Sequence, residues 1–261
     1  MQKLHITQPN GFWLVTIASI IWGTIGVATQ TIYQFDSATP LFINLIRTLI
    51  ATPILLLMSW RLMGRDMLKF RKRDCLMMLA TGICLALSQV AYFEGIRYAG
   101  VTITTIVTFC ISPVLVVVIS VLFKLESLDI RTLFALLFAL FGCLLLVGVT
   151  SPDTIEENVT IGILYAMVSA GFYALMLIGG RYLASDYHPL QVTSIGFSAG
   201  TIVLLLINLT GHVVTMQTTQ GWLLVLYLGL IPTALAYWLF QIGLRSVTAT
   251  QASIVVMLDP L

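Results

Sequence analysis

Charged residues are scarce in this sequence: 13 Lys and Arg and 11 Asp and Glu stand among 261 residues, which is 9%. Soluble domains carry about 25% charged residues. Apolar residues make up 59% of the chain, and its mean hydropathy is +1.00. This composition excludes a soluble globular domain. The net charge of +2 gives no basis for nucleic-acid binding.

Motifs for metal, redox and nucleotide chemistry are also missing. The three histidines, His5, His188 and His212, lie outside the apolar runs, so a haem or an intramembrane zinc site has no ligands there. No P-loop sequence occurs. The four cysteines lie in or at the ends of apolar runs and have no CxxC spacing. They are Cys75, Cys84, Cys110 and Cys143. We therefore expect no metal, no cofactor and no nucleotide hydrolysis.

Long apolar runs dominate what remains. A run of about 20 residues spans the hydrocarbon core of a bilayer as a helix. A ninth run begins near Thr248 and continues to Leu261. Eight complete runs precede it, at about 12–32, 39–60, 75–96, 102–123, 132–150, 161–183, 190–210 and 221–243. The sequence predicts an all-α, polytopic helical membrane protein with eight full spans and part of a ninth.

Positive charges collect on one side of this topology. The segment 61–74 contains six Lys or Arg, and an even-numbered loop shares the side of the N-terminus. That side also receives Lys3, Lys124, Arg131, Arg181 and Arg245, whereas the other side has only Arg97. Cytoplasmic loops are enriched in Lys and Arg. We therefore expect a plasma-membrane protein with a cytoplasmic N-terminus.

The chain shows an internal repeat. Three pairs of features recur at nearly one spacing, which indicates two five-span repeats, in residues 1–150 and 151–261. The pairs are Pro40 and Pro189 at 149 residues, Gly95-Ile96-Arg97 and Gly243-Leu244-Arg245 at 148, and Pro113 and Pro260 at 147. An odd number of spans inverts the second copy, which is the arrangement of many secondary carriers. The repeat itself therefore predicts transport by alternating access.

Several motifs together resemble the EamA family of the drug/metabolite transporter superfamily. They are Trp22-Gly23, Pro40 with Phe42 and Arg47, the segment 95–99, Pro113 with Glu126, and the segment 226–261. The resemblance implies ten spans, two cytoplasmic termini, and transport of small metabolites, often amino acids, without ATP. Because the 14 residues from Thr248 to Leu261 reach only about 21 Å as a helix, we expect a chain truncated within its ninth span.

Arg47 is the first candidate for substrate binding. It lies within span two and shares a helix face with Asn44 and Thr48. An arginine facing lipid at this depth costs about 2.5 to 3.5 kcal/mol on insertion scales, so Arg47 should point inward. Two interpretations stay open: a contact with an anionic substrate group, or a structural hydrogen bond to neighbouring helices.

Polar and aromatic side chains recur on spans three and eight. Gln89 and Tyr92 share one face of span three, and Tyr237 and Gln241 occupy the corresponding face of span eight, about 148 residues later. These four predict one substrate cavity between the repeats, with Trp22 of span one as a further wall. Ordinary helix packing is the alternative.

Two acidic residues are candidates for proton coupling. Glu94 lies near the end of span three, where Arg97 also offers it a local ion pair. Asp259 precedes Pro260 in the ninth span. A proton gradient is therefore a candidate energy source, beside the lipid bilayer and a small-molecule substrate as partners.

We expect a secondary transporter of small metabolites such as amino acids, with export rather than uptake. A channel-like protein, a non-transporting accessory protein or a membrane-embedded enzyme are the alternatives. An enzyme needs converging nucleophiles, bases or metal ligands, and the apolar runs offer only isolated ionisable groups.

Overall fold

The computed structural model describes residues 11–125, 130–149, 159–210 and 216–258, and every regular element within these ranges is helical. A 3-10 turn, Gly64–Leu68, follows α2, and a π-helix, Gly229–Leu235, joins α7 to α8. The α-helices are α1 (Gly11–Phe35), α2 (Pro40–Met63), α3 (Lys72–Leu122), α4 (Ile130–Val149), α5 (Val159–Ala184), α6 (Pro189–Thr210), α7 (Thr219–Leu228), α8 (Ala236–Gly243) and α9 (Ala249–Val256).

Six helical segments within the described ranges are long and apolar enough to cross a membrane. They are Gly11–Phe35, Pro40–Leu68, Lys72–Leu122, Val159–Ala184, Pro189–Leu209 and Thr219–Gly243. Large apolar side chains cover their outer surface and that of α4; Phe138 is 74% exposed and Leu209 is 73% exposed. Such a surface needs lipid around it. The polytopic helical membrane protein is therefore confirmed, and the number of eight complete spans stays a prediction.

Helix α3 turns back on itself at Gly100. This residue has φ 77° and ψ 168°, in the region that favours glycine. The hydroxyls of Tyr92 and Thr105 are 2.6 Å apart, although 13 residues of continuous helix would separate them by about 20 Å. Helix α3 therefore consists of two arms, 72–99 and 101–122, that pack beside each other.

Glycines allow close contact between α3 and α6. A Cβ atom added to Gly82 would lie 1.8 Å from the carbonyl oxygen of Gly196, and one added to Gly200 would lie 2.8 Å from the carbonyl oxygen of Gly82. Gly196 and Gly200 therefore let α6 approach α3 closely, with Gly82 as the facing residue.

Helices from the first part of the chain pack against helices from the last part. Helix α1 contacts α8, where a Cβ on Gly243 would lie 2.8 Å from the carbonyl oxygen of Gly11. Helix α3 contacts α5 in a similar way, since a Cβ on Gly95 would lie 3.2 Å from the carbonyl oxygen of Gly162. Gly11 of the first contact and Gly162 of the second are 151 positions apart, and Gly95 and Gly243 are 148 apart, which is close to the spacing of the predicted repeat.

Helices α2 and α6 meet at the centre of the bundle. The hydroxyls of Thr52 and Thr201 are 2.8 Å apart, and the two residues are 149 positions apart in the sequence. The two residues thus contact each other at the spacing of the predicted repeat.

The two ends of the bundle differ in charge. We call the end formed by residues 61–74, 181–188 and 244–248 the basic face, and the end formed by 36–39, 94–101 and 216–218 the opposite face. Most of the Lys and Arg residues within the described ranges lie at the basic face, whereas Arg97 lies at the opposite face.

Candidate functional site

Arg47 lies inside the bundle, where only 4% of its surface is exposed. Its Nε donates to Oδ1 of Asn44 at 2.9 Å, and its Nη2 donates to Oε1 of Gln89 at 2.8 Å. Asn44 lies one helical turn before Arg47 on α2, and Gln89 reaches the guanidinium from α3. These amide oxygens are uncharged hydrogen-bond acceptors, and they fix the orientation of the guanidinium.

Arg47 borders a small, partly open cavity, which we call the Arg47 chamber. Its polar lining comprises Asn44, Arg47, Thr48, Gln89, Thr201 and Tyr237, among others. Asn44 is fully buried, and its Nδ2 has no hydrogen-bond partner among the described residues. A buried donor without an acceptor is costly. An unsatisfied amide donor and the Arg47 guanidinium therefore both lie at this chamber.

A second small, partly open cavity, which we call the second chamber, adjoins the first. Its polar lining includes Thr81, Thr193 and Gln241, and Gly180 and Gly196 border it as well. Phe197 and Tyr237 line both chambers, and their rings meet edge to face with centroids 5.0 Å apart. This aromatic pair separates the two cavities.

The side chains predicted to line one cavity are divided between these spaces. Gln89 and Tyr237 line the Arg47 chamber, and Gln241 lines the second chamber together with Tyr237. Tyr92 borders neither chamber; its hydroxyl lies 2.6 Å from that of Thr105 in the other arm of α3. The structure thus places Tyr92 in the packing between the arms.

Trp22 supports the wall from behind. Its ring lies against Tyr237 and Phe240, with centroid distances of 4.8 and 5.1 Å. Its indole Nε1 donates to the carbonyl oxygen of Pro232 at 2.9 Å. Pro232 lies in the π-helix, where the regular backbone hydrogen bonds are interrupted. Trp22 therefore holds Tyr237 and the π-helix in position without bordering either chamber.

Residues of α6 line both chambers, although the sequence analysis assigned no substrate-binding residue to this helix. The missed residues are Thr193, Phe197, Thr201 and Leu204. Their signal is the repeat spacing. Adding 149 to Asn44 and Thr48 gives Thr193 and Phe197, so the spacing could have found them.

The acidic candidates lie away from the chambers or outside the described ranges. Glu94 faces Arg97 with a carboxylate-to-guanidinium distance of 3.9 Å, and the side chain of Arg97 is 73% exposed. Asp259 lies outside the described residues. Within the described residues, no group of three His, Cys, Asp or Glu side chains could hold a metal ion.

One carboxylate ties loops together at the opposite face. Asp36 Oδ2 accepts from the backbone N–H groups of Gln217 at 2.7 Å and Thr218 at 2.9 Å, and from the Thr218 hydroxyl at 3.1 Å. These bonds, led by that from the Thr218 backbone, hold the pKa of Asp36 below its ordinary value. The contact joins the α1–α2 loop to the start of α7.

Polar contacts also tie loops together at the basic face. Tyr187 donates to Asp74, Gln191 Nε2 donates to the carbonyl oxygen of Met67 at 2.8 Å, and Arg245 Nη2 donates to the carbonyl oxygen of Tyr187 at 2.9 Å. Burial, and then the charge of Arg245, lower the pKa of His188. This face is therefore joined across three loops, as the opposite face is joined across two.

Within the described ranges the chain is a helical, lipid-exposed bundle with two cavities between its helices, which is the architecture of a polytopic membrane protein. The chain belongs to the EamA-like transporter family, whose sequence profile matches residues 9–148 and 160–261. It is a transporter of the drug/metabolite transporter superfamily, as the sequence resemblance implied. A bilayer and a small-molecule substrate are its partners.

Curated relatives agree. The chain is 28% identical over 249 residues to the uncharacterized transporter YxxF of Bacillus subtilis, covering 94% of this chain and 77% of the relative. It is 28% identical over 259 residues to the uncharacterized inner membrane transporter YicL of Salmonella typhimurium, covering 97% and 84%. It is 24% identical over 223 residues to the pseudopaline exporter CntI of Pseudomonas aeruginosa, covering 85% and 74%. These likenesses indicate a transporter rather than an enzyme.

The fold has a solved counterpart. A crystal structure, described only as that of a protein, superposes with a TM-score of 0.80 over 97% of this chain and 85% of the other, at 18% identity. At this identity the likeness shows the fold alone.

Proposed function

We propose that this protein is a secondary transporter of small metabolites that carry a carboxylate, such as amino acids, and that it works by alternating access between two inverted repeats. The observation that carries the proposal is the pairing of Arg47 with the unsatisfied Nδ2 of Asn44 in one buried chamber.

A carboxylate suits this chamber. Its oxygens accept several hydrogen bonds and carry a negative charge. Bonds between charged groups are roughly twice as strong as neutral ones, and the site already holds the guanidinium in a fixed orientation. A carboxylate oxygen of the substrate would therefore accept from Asn44 Nδ2, which has no other hydrogen-bond partner among the described residues.

Packing between the predicted repeats supports alternating access. The Thr52–Thr201 contact joins residues 149 positions apart, and glycine contacts recur in equivalent places. The loop contacts of Asp36 and Tyr187 lie at opposite ends of the bundle and close it at both faces. Breaking one set while keeping the other would open one side at a time.

The direction of transport and its energy source are proposed as the sequence analysis predicts them. We propose export, because one relative carries the name of an exporter. A proton gradient drives it in this proposal, with Glu94 and Asp259 as the candidate coupling residues. The basic face lies in the cytoplasm of a plasma-membrane protein, because Lys and Arg concentrate there.

Flux into proteoliposomes tests the function. A panel of radiolabelled amino acids should show saturable uptake that unlabelled amino acid on the other side stimulates, and the matching amino acid amides should move poorly. A linear, non-stimulated flux would indicate a channel. Equal flux of acids and amides would contradict the role of Arg47 and Asn44.

Single-cysteine labelling tests the orientation. In a cysteine-free background, we expect an impermeant maleimide to modify Ser37→Cys in intact cells and Lys69→Cys only after the cells are opened. Both positions are exposed, at the opposite face and the basic face respectively. The reverse pattern would overturn the cytoplasmic assignment of the basic face.

A further inference from the structure

The second chamber corresponds to the Arg47 chamber at two positions of the predicted repeat. Asn44 and Arg47 of the Arg47 chamber correspond to Thr193 and Gly196 of the second, each 149 positions later. Phe197 and Tyr237, the repeat counterparts of Thr48 and Gln89, line both chambers and lie at their boundary. The spacing of 149 is also the one between Thr52 and Thr201, whose hydroxyls contact each other.

The two chambers lie in different halves of the membrane. Arg47 lies seven residues after the start of α2 at the opposite face, a depth of about 11 Å. Thr193 lies four residues after the start of α6 at the basic face, a depth of about 6 Å. The Phe197–Tyr237 pair stands between the halves.

The chemistry of the chambers differs, because glycine replaces arginine at the symmetric position. The hydroxyl protons of two threonines in the second chamber are already used in hydrogen bonds within their own helices. Thr81 donates to the carbonyl oxygen of Met78 at 2.8 Å, and Thr193 donates to that of Pro189 at 2.8 Å. Their oxygens therefore offer lone pairs to the cavity, and Gln241 Oε1 adds another acceptor beside Gly180.

We infer that the second chamber is a separate substrate site in the half of the pathway nearest the basic face, where neutral oxygen acceptors receive hydrogen-bond donors such as an ammonium group. The substrate passes between the two sites when Phe197 and Tyr237 separate. The inference rests on the proposed transport function. Because only one chamber carries a cation, a carboxylate that enters from the basic face passes the second chamber first and is then held in the Arg47 chamber before export.

Two cysteine variants test this inference without knowledge of the substrate. Thr48→Cys lies in the Arg47 chamber and Thr193→Cys in the second. Each native hydroxyl bonds within its own helix, so each position tolerates a thiol. The four native cysteines are replaced by serine. The probes are two impermeant methanethiosulfonates, one with a sulfonate and one with a trimethylammonium group, applied to right-side-out or inside-out vesicles.

We expect Thr193→Cys to react from the basic face, with no preference for the anionic reagent relative to a free thiol in solution. Thr48→Cys should react from the opposite face and prefer the anionic reagent by about tenfold, because a fixed cation concentrates anions locally. Adding Phe197→Ala should expose Thr48→Cys to the basic face as well.

Other outcomes are decisive. Reaction of Thr193→Cys only from the opposite face, an anion preference there equal to that of Thr48→Cys, or no reaction from either side would overturn the second site. Gln241→Cys, in the same chamber on α8, repeats the measurement if Thr193→Cys is poorly produced. Absence of an anion preference at Thr48→Cys alone would instead contradict the proposed carboxylate site.

Discussion

Arg47→Gln is expected to lower the flux of a carboxylate substrate at limiting concentration by about 100-fold. Hydrogen bonds to charged groups contribute about 1.5 to 3 kcal/mol each, and 1.4 kcal/mol corresponds to about a factor of ten. Gln preserves a donor toward Asn44 or Gln89 and removes the charge. Initial rates in proteoliposomes, with equal amounts of folded protein, provide the measurement.

The matching amide of the substrate shows whether the charge acts on the carboxylate. For the amide, Arg47→Gln should change flux by no more than about threefold, since the lost attraction concerns an absent charge. Arg97→Gln is the matched control, because Arg97 is an exposed arginine at the opposite face. Equal losses for the acid and the amide would give Arg47 the structural role that the sequence left open.

Gly82→Ala is expected to destabilise the protein by about 3 kcal/mol or more. The new Cβ would lie 1.8 Å from the carbonyl oxygen of Gly196, which is backbone and has no rotamer to change. Helices α3 and α6 must then separate, and overpacking of this kind typically costs about 1 to 3 kcal/mol even where side chains can move. The measurement is the thermal midpoint in detergent, taken as the temperature at which half of the monodisperse protein is lost.

Gly171→Ala is the control for that substitution. A Cβ on Gly171, within α5, would meet no atom within 4 Å. Alanine is also favoured over glycine in a helix by about 1 kcal/mol. We therefore expect an unchanged or slightly higher midpoint. If Gly82→Ala and Gly171→Ala both have the same thermal midpoint as the native chain, α3 and α6 do not pack as closely as described.

The composition and the long apolar runs were sufficient to predict a helical membrane protein. Hydrophobic runs report directly on the lipid environment, because each helix satisfies its own backbone hydrogen bonds. The turn at Gly100 falls between the predicted spans 75–96 and 102–123, so the break in the apolar runs located it as well.

The candidate site was predicted in part because its arginine is unusual. A charge in an apolar run must turn inward, and the repeat spacing drew attention to Gln89 and Tyr237, which do border the Arg47 chamber. The division into two chambers could not be predicted, because it depends on how Phe197 and Tyr237 meet across α6 and α8. The position of Tyr92 also could not be predicted from its helix face alone, because the turn of α3 brings Thr105 to its hydroxyl.

The hydrogen bond between Trp22 and Pro232 also has a consequence for how the chain is made. It joins residues 210 positions apart, and α1 packs mainly against α7, the π-helix, α8 and α9. At a synthesis rate of about 5 to 20 residues per second, Pro232 follows Trp22 by about 10 to 40 s. During that interval α1 lacks its main final neighbours. Lipid or the insertion machinery must therefore shield α1 from unsuitable partners until α7, α8 and α9 have left the ribosome.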